Sequence, residues 1–237
     1  MLNLFVSILL SIFVLLLLTF ISLLFQKENL NDYEFGNDIE EKKFVESDEK
    51  EKAGIKGENK AYAYLSTLLQ NNEFIFKNVL IPTGNGKMSE LDCVLVTRKG
   101  LFCIEVKNWS GTIKGGNTDE IWRQDFSKYK RPQKEHQNPV IQNHKHCDTL
   151  IRLLKFKYSA FNIVIFLNQS NLRYVQSRNS FTLNKFKEGY NHLPQNTLTR
   201  SQINEIASVL KPFEAGANEL DEFREQKKRI CSLHEQL

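Results

Sequence analysis

Cysteine is scarce in this chain: there are four, at Cys93, Cys103, Cys147 and Cys231, with no Cys-x-x-Cys pair among them. No spacing suggests a disulfide or zinc framework, so buried, reduced thiols are the expectation. A P-loop, a G-x-G-x-x-G element and internal repeats are also missing, which removes phosphate-cradling loops and solenoids from consideration. Charge is absent from one stretch altogether, the 24 residues from Leu2 to Phe25. At about 1.5 Å per helical residue this run crosses a hydrocarbon core of about 30 Å, and a transmembrane anchor is expected. A cleaved signal peptide is the competing reading. The run is too long for its apolar region, however, and it lacks a basic start and a small-x-small site before Gln26.

What remains has the composition of a globular protein, with 41% hydrophobic and 25% charged residues. The 237 positions allow one ordinary domain with extensions. Lys27 to Lys52 is polar and charge-rich, a spacer between membrane and domain. Residues 26–60 carry 11 acidic and 7 basic side chains, so the rest must supply +8 to reach the total of +4. A basic domain suits a polyanionic partner, although a solvated lysine-rich surface has the same composition. Lys27, Lys42 and Lys43 follow the apolar run and nothing basic but the terminal amine precedes it, which favours a cytoplasmic C-terminal side.

The most informative stretch is Ser89 to Asn108, SELDCVLVTRKGLFCIEVKN, two β-like runs joined at Arg98-Lys99-Gly100. With Lys99-Gly100 as the turn, Asp92 lies across from Lys107 and Glu105 is two residues along on the same face. Two carboxylates and an amine on one face suit Mg²⁺ or Mn²⁺: a hard cation takes a few carboxylate oxygens and leaves room for a phosphate oxygen. Lys107 would orient water or stabilise charge on a phosphoryl group. The bland reading is a pair of solvated strand-end charges.

Upstream, Glu58, Ala61, Tyr62, Leu65, Leu68 and Leu69 form one helical stripe. An acid at its head is either a partner of the helix dipole or a third carboxylate aimed at a metal. Phe74 to Ile81 reads as a strand ending at Pro82 and the turn Gly84-Asn85-Gly86. A further helix is expected from the Asn138 cap and Pro139 through Leu154, with Gln142, His146, Leu150 and Leu153 on one stripe. Phe161 to Leu167 suits a buried strand, Asn168 to Pro194 peripheral strands and loops, and Thr199-x-x-Gln202 a capping box ahead of a short helix. Trp109 and Trp122 are packing residues or, alternatively, stacking platforms for bases.

Asp92, a dozen residues and then Glu105-Val106-Lys107 resembles the D…(D/E)-x-K signature of the restriction-endonuclease-like superfamily. The longer string E-L-D-C-V-L-V…G-L-F-C-I-E-V-K-N-W-S-G, Glu90 to Gly111, resembles the nuclease-related domain, NERD, over roughly Gly54 to Asn168. Gly57-Glu58 and Asn138-Pro139-x-x-Gln142 match further elements of that pattern. The resemblance implies an α/β fold, a restriction-endonuclease-like αβββαβ core with a mixed central sheet flanked by helices. It also implies a divalent-metal-dependent nuclease acting on nucleic acid, DNA in the first instance. Asp92, Glu105 and Glu58 would be the metal ligands, Lys107 the group that positions water, and Gln142 the residue that orients the assembly. His146 is expected to be a satisfied structural histidine. The alternative is a non-catalytic module of the same fold that binds nucleic acid or a protein at the membrane. The expected organisation is an anchor over 1–26, a linker over 27–52, the nuclease-like domain over 53–170 and a helical extension over 171–237.

Overall fold

Alternating apolar runs form two mixed β-sheets, and their placement is described by a computed structural model for residues 49, 52–83, 87–167, 169–193 and 197–235. The expected anchor, most of the linker and the turn at residues 84–86 lie outside the described residues. Among the described residues, no helix is long and apolar enough to cross a membrane.

The chain enters through a helix over residues 52–66 (α1). Three antiparallel strands follow: β1 (Phe74–Pro82), β2 (Met88–Thr97) and β3 (Gly100–Lys107). Then come β4 (Gly111–Gly116), β5 (Ile121–Asp125) and β6 (Lys134–Gln137), followed by helix α2 (Pro139–Leu153) and strand β7 (Ala160–Phe166). The chain closes with β8 (Ser170–Gln176), β9 (Ser180–Thr182), α3 (Leu183–His192), α4 (Arg200–Leu210) and α5 (Ala217–Glu235). The central sheet has the order β1-β2-β3-β7-β9, with β7 parallel to β3 and β9 parallel to β7. A second sheet has the order β6-β5-β4-β8.

The helices cover both faces of the central sheet. Val94, Val96, Leu101 and Cys103 point to one side, against Cys147, Leu150 and Leu154 of the α2 region and Ile203, Ile206 and Leu210 of α4. Cys93, Leu95, Phe102 and Ile104 point to the other, against Ala61 and Leu65 of α1 and Leu183, Phe186 and Tyr190 of α3. Burial of each such aliphatic side chain contributes about 1.5–3 kcal/mol, so the middle strands are the best-held part of the fold. Cys93, Cys103 and Cys147 are buried free thiols, as expected.

The hairpin turn lies one residue earlier than expected, which shifts the strand register by two. Thr97 pairs with Gly100, so Arg98-Lys99 is the turn. Lys99 decides this: its ammonium is buried and donates to the carbonyls of Asn191 and Leu193 at the end of α3, over the ring of Tyr190. Arg98 N–H meanwhile donates to Glu73 and Arg98 O accepts from Thr197 and Leu198. Extending the register puts Asp92 opposite Glu105 rather than Lys107, still on the same face.

Two helices start where their caps predicted. Asn138 Oδ1 accepts from the N–H groups of Val140 and Ile141, with Pro139 opening α2. Thr199 and Gln202 form the reciprocal capping box of α4. The segment after Asn168 supplies the expected peripheral strands, one at an edge of each sheet, and a helix, α3, that was not expected. Trp122 is fully buried, its Nε1 donating to Gly116 O, and a Cβ on Gly115 would lie 2.5 Å from its ring. Only glycine permits that contact.

Candidate functional site

The site forms where β2 and β3 part. Their ladder ends at Cys93 opposite Ile104, and the Asp92 carboxylate then accepts the Val106 N–H at 2.8 Å in place of a backbone carbonyl. One strand further in, Glu105 lies on a strand buried along nearly its whole length and is itself only 3% exposed. Period-2 geometry sends Lys107 to the same side as Glu105.

Three side chains close a ring there. Lys107 Nζ donates to Glu105 Oε1 at 2.6 Å, Gln142 Nε2 donates to the same oxygen at 2.8 Å, and Lys107 Nζ reaches Gln142 Oε1 at 3.2 Å. Gln142 is brought in by the first turn of α2, which the Asn138 cap fixes. The second Glu105 oxygen, Oε2, is buried with no hydrogen-bond partner. It faces His146 Nε2 at 3.6 Å, which is also buried and unpartnered, while His146 Nδ1 pairs with Ser89 Oγ at 2.7 Å. His146 is therefore not the satisfied histidine the sequence suggested; one of its nitrogens is held and the other is aimed at the site.

Glu58 comes from the opposite face of the sheet, over its edge. A Cβ on Gly57 would sit 2.8 Å from Asn108 Cβ, and this close approach brings the start of α1 down beside the end of β3. Glu58 does not join Asp92 and Glu105 directly. It is paired with Arg224 of α5 at 3.2 Å, and Arg224 also donates through Nε to Glu90 Oε1 at 2.9 Å and through Nη2 to the same oxygen.

The electrostatics are those of an acid cluster with too little counter-charge. Burial pushes the Asp92 carboxyl well above the usual carboxylate range, and Glu105 and Glu58 push it further than Lys107 and the Val106 N–H pull it back. Burial acts to lower Lys107, but Glu105 and Asp92 outweigh it and hold the ammonium above its ordinary value. Burial lowers His146, only partly offset by Glu105. Burial likewise opposes the charge on Arg224, yet Glu90 and Glu58 raise it on balance.

Among the described residues, no three acid, histidine or cysteine side chains converge as a preformed metal cage. A hard cation does not need one, since Mg²⁺ is held by one or two carboxylates with waters and substrate oxygens. The unpartnered buried Glu105 oxygen and the mutual repulsion raising Asp92 fit a site that takes up a cation on these two carboxylates.

Several neighbours were not picked out from sequence. His136, on edge strand β6, stacks on Trp109 at 4.1 Å, and Lys107 Nζ lies 5.9 Å from the centre of the Trp109 ring. Trp109 is thus a shelf under the lysine. The pairing of adjacent strands β5 and β6 brings His136 there, a long-range contact without a local signal. Glu90 lies on the Asp92 face by the two-residue period of β2. Arg224 sits beside Leu220 and Phe223 on a partly buried stripe of the polar helix α5, with nothing in its local sequence to mark it.

Comparison with known proteins finds a likeness over the same region. Residues 53–167 match the family model of the nuclease-related domain, NERD. An uncharacterized protein of Bacillus anthracis is 27% identical over 122 residues, which is 52% of this chain and 56% of that protein. The match thus spans little more than half the length of that relative. No solved structure matches.

Proposed function

We propose that this chain is a membrane-anchored, divalent-metal-dependent nuclease that hydrolyses phosphodiester bonds in DNA. The observation that carries the reading is the ring of Glu105, Lys107 and Gln142 beside Asp92, built on the strand pair that the nuclease-related family model covers. Asp92 and Glu105 would hold the cation, with Glu58 near enough to contribute charge. When bound, Mg²⁺ or Mn²⁺ supplies Lewis-acid polarisation of the phosphate and lowers the pKa of water.

The protein's own groups do the rest. Lys107, kept charged by Glu105 and Asp92, presents N–H donors beside these carboxylates, where they can align water and meet the charge that builds on the phosphoryl oxygens. Gln142 fixes the Lys107 head by accepting from it while donating to Glu105, so the ammonium cannot swing away. Trp109 supports the same head from below. Anchoring through Leu2 to Phe25 rests on the 24 uncharged residues there, and a cytoplasmic domain rests on the basic residues that follow.

The test uses the purified full-length chain with linear and supercoiled DNA and with RNA, in Mg²⁺, Mn²⁺ or EDTA, beside Asp92→Ala and Lys107→Ala. DNA cutting that needs metal and disappears in both variants is the expected result. Equal nucleic-acid binding without cutting in all three proteins would sink the catalytic reading and leave a tethered binding module. Cutting of RNA alone would move the substrate.

A further inference from the structure

Helix α5 lies outside the residues matched by the family model, yet it puts a guanidinium into the acid cluster. Arg224, Glu58 and Glu90 are all shielded, with side chains 13%, 16% and 12% exposed. Along Ala217–Ile230 only Leu220 is fully buried, with Phe223 and Arg224 partly covered and the other side chains exposed. The side chains of its last turns are not described.

We propose that Arg224 is an internal counter-ion that competes with the divalent cation for the site, so that α5 stays closed over the acids until metal displaces it. The inference rests on the metal-dependent reading above. Arg224 adds a positive charge, paired directly with Glu58 and Glu90, to a cluster whose Asp92 and Glu105 are served by Lys107. While it is seated, Glu58 is committed to the guanidinium and a second cation meets like charge. The buried, unpartnered Glu105 Oε2 shows that the guanidinium leaves part of the cluster unserved. By linkage, whatever affinity α5 takes from the metal, the metal takes from α5.

Release of α5 would also widen the approach to the site. A cleft of about 370 Å³ lies between Met88, Ser89 and His146 on one side and Phe223, Gln226 and Lys227 of α5 on the other. With α5 closed, this helix forms the wall nearest His146. With α5 displaced, the same floor is open to a phosphate backbone.

The experiment is a Mn²⁺ titration of the full-length chain by calorimetry, without nucleic acid, together with amide hydrogen exchange over residues 217–230. Wild type, Arg224→Lys, Arg224→Gln and Asp92→Ala are compared. Arg224→Gln should bind Mn²⁺ about tenfold more tightly than wild type, with Arg224→Lys between them, since a unit charge has been removed at short range. Exchange in α5 should quicken when wild type is saturated with Mn²⁺ and already be fast in metal-free Arg224→Gln. Equal or weaker Mn²⁺ binding by Arg224→Gln would overturn the proposal and make Arg224 a residue that positions the acids for the ion. Unchanged α5 protection at saturating Mn²⁺ would overturn it too, while leaving the metal site standing. Absence of Mn²⁺ binding by every protein would remove the metal reading itself and the proposal with it.

Discussion

At the scale of single residues, the site concentrates unfavourable charge that a folded protein would otherwise avoid. Asp92 pays for this in the metal-free state, because its carboxyl is raised by burial, Glu105 and Glu58. A carboxyl whose pKa is raised on folding adds stability when protonated, below its unfolded value, and that stability is lost as pH rises through the folded value. In EDTA, the melting temperature of Asp92→Asn should therefore exceed that of wild type by a margin that grows from acid toward neutral pH, while the variant cuts nothing. A margin independent of pH would refute the assignment. Gln142 is the opposite case, a neutral residue whose two hydrogen bonds orient charged ones. Gln142→Ala should lower cutting about 10–100-fold with little change in melting temperature, as loss of an orienting partner does at metal sites. The acids and Lys107 were legible because strand periodicity puts residues 105 and 107 on one face and the hairpin returns Asp92 to it. Arg224 was not, because its pair with Glu58 spans 166 positions.

At the scale of elements, α2 joins the site to the second sheet. Asn138 Oδ1 caps the helix, and its Nδ2 donates to the carbonyls of Gly116, Asn117 and Asp119 in the β4–β5 connection. Asn143, one turn on, donates to Cys103 O and Ile163 O and so ties the helix across β3 and β7. Asn138→Asp should keep the cap and lose the donors, and Asn138→Ala should lose both. The expected order of thermal stability is wild type, Asp, Ala, with Ala down by about 1–3 kcal/mol in denaturant unfolding. If alanine cost no more than a few tenths, α2 would owe its position to packing alone. The caps of α2 and α4 were readable since a cap is a local pattern of two to four residues. The hairpin turn was misplaced by one residue, and the register with it by two, because Lys99 chose its position through carbonyls of α3, some 90 residues away. The edge strands β8 and β9 gave little signal for a similar reason: they are held by pairing with β4 and β7 rather than by their own alternation.

At the scale of the whole chain, charge is sorted along the sequence. An uncharged run of 24 residues is followed by a segment, residues 26–60, with four more acids than bases, and the remainder carries the compensating +8. If the basic part meets a polyanion, binding displaces counterions from the nucleic acid and must weaken as salt rises. The Asp92→Ala chain, in EDTA, should therefore bind double-stranded DNA with an affinity that falls at least about tenfold between 50 and 200 mM salt, the change expected of a few neutralised phosphates. Measured by fluorescence anisotropy, the slope of log K against log salt counts those contacts. Removing one lysine of the basic part that touches phosphate should reduce the slope by about one. A flat salt profile would mean that the +8 is only a solvated surface, and that nucleic acid is recognised at the Asp92–Glu105 site or not at all.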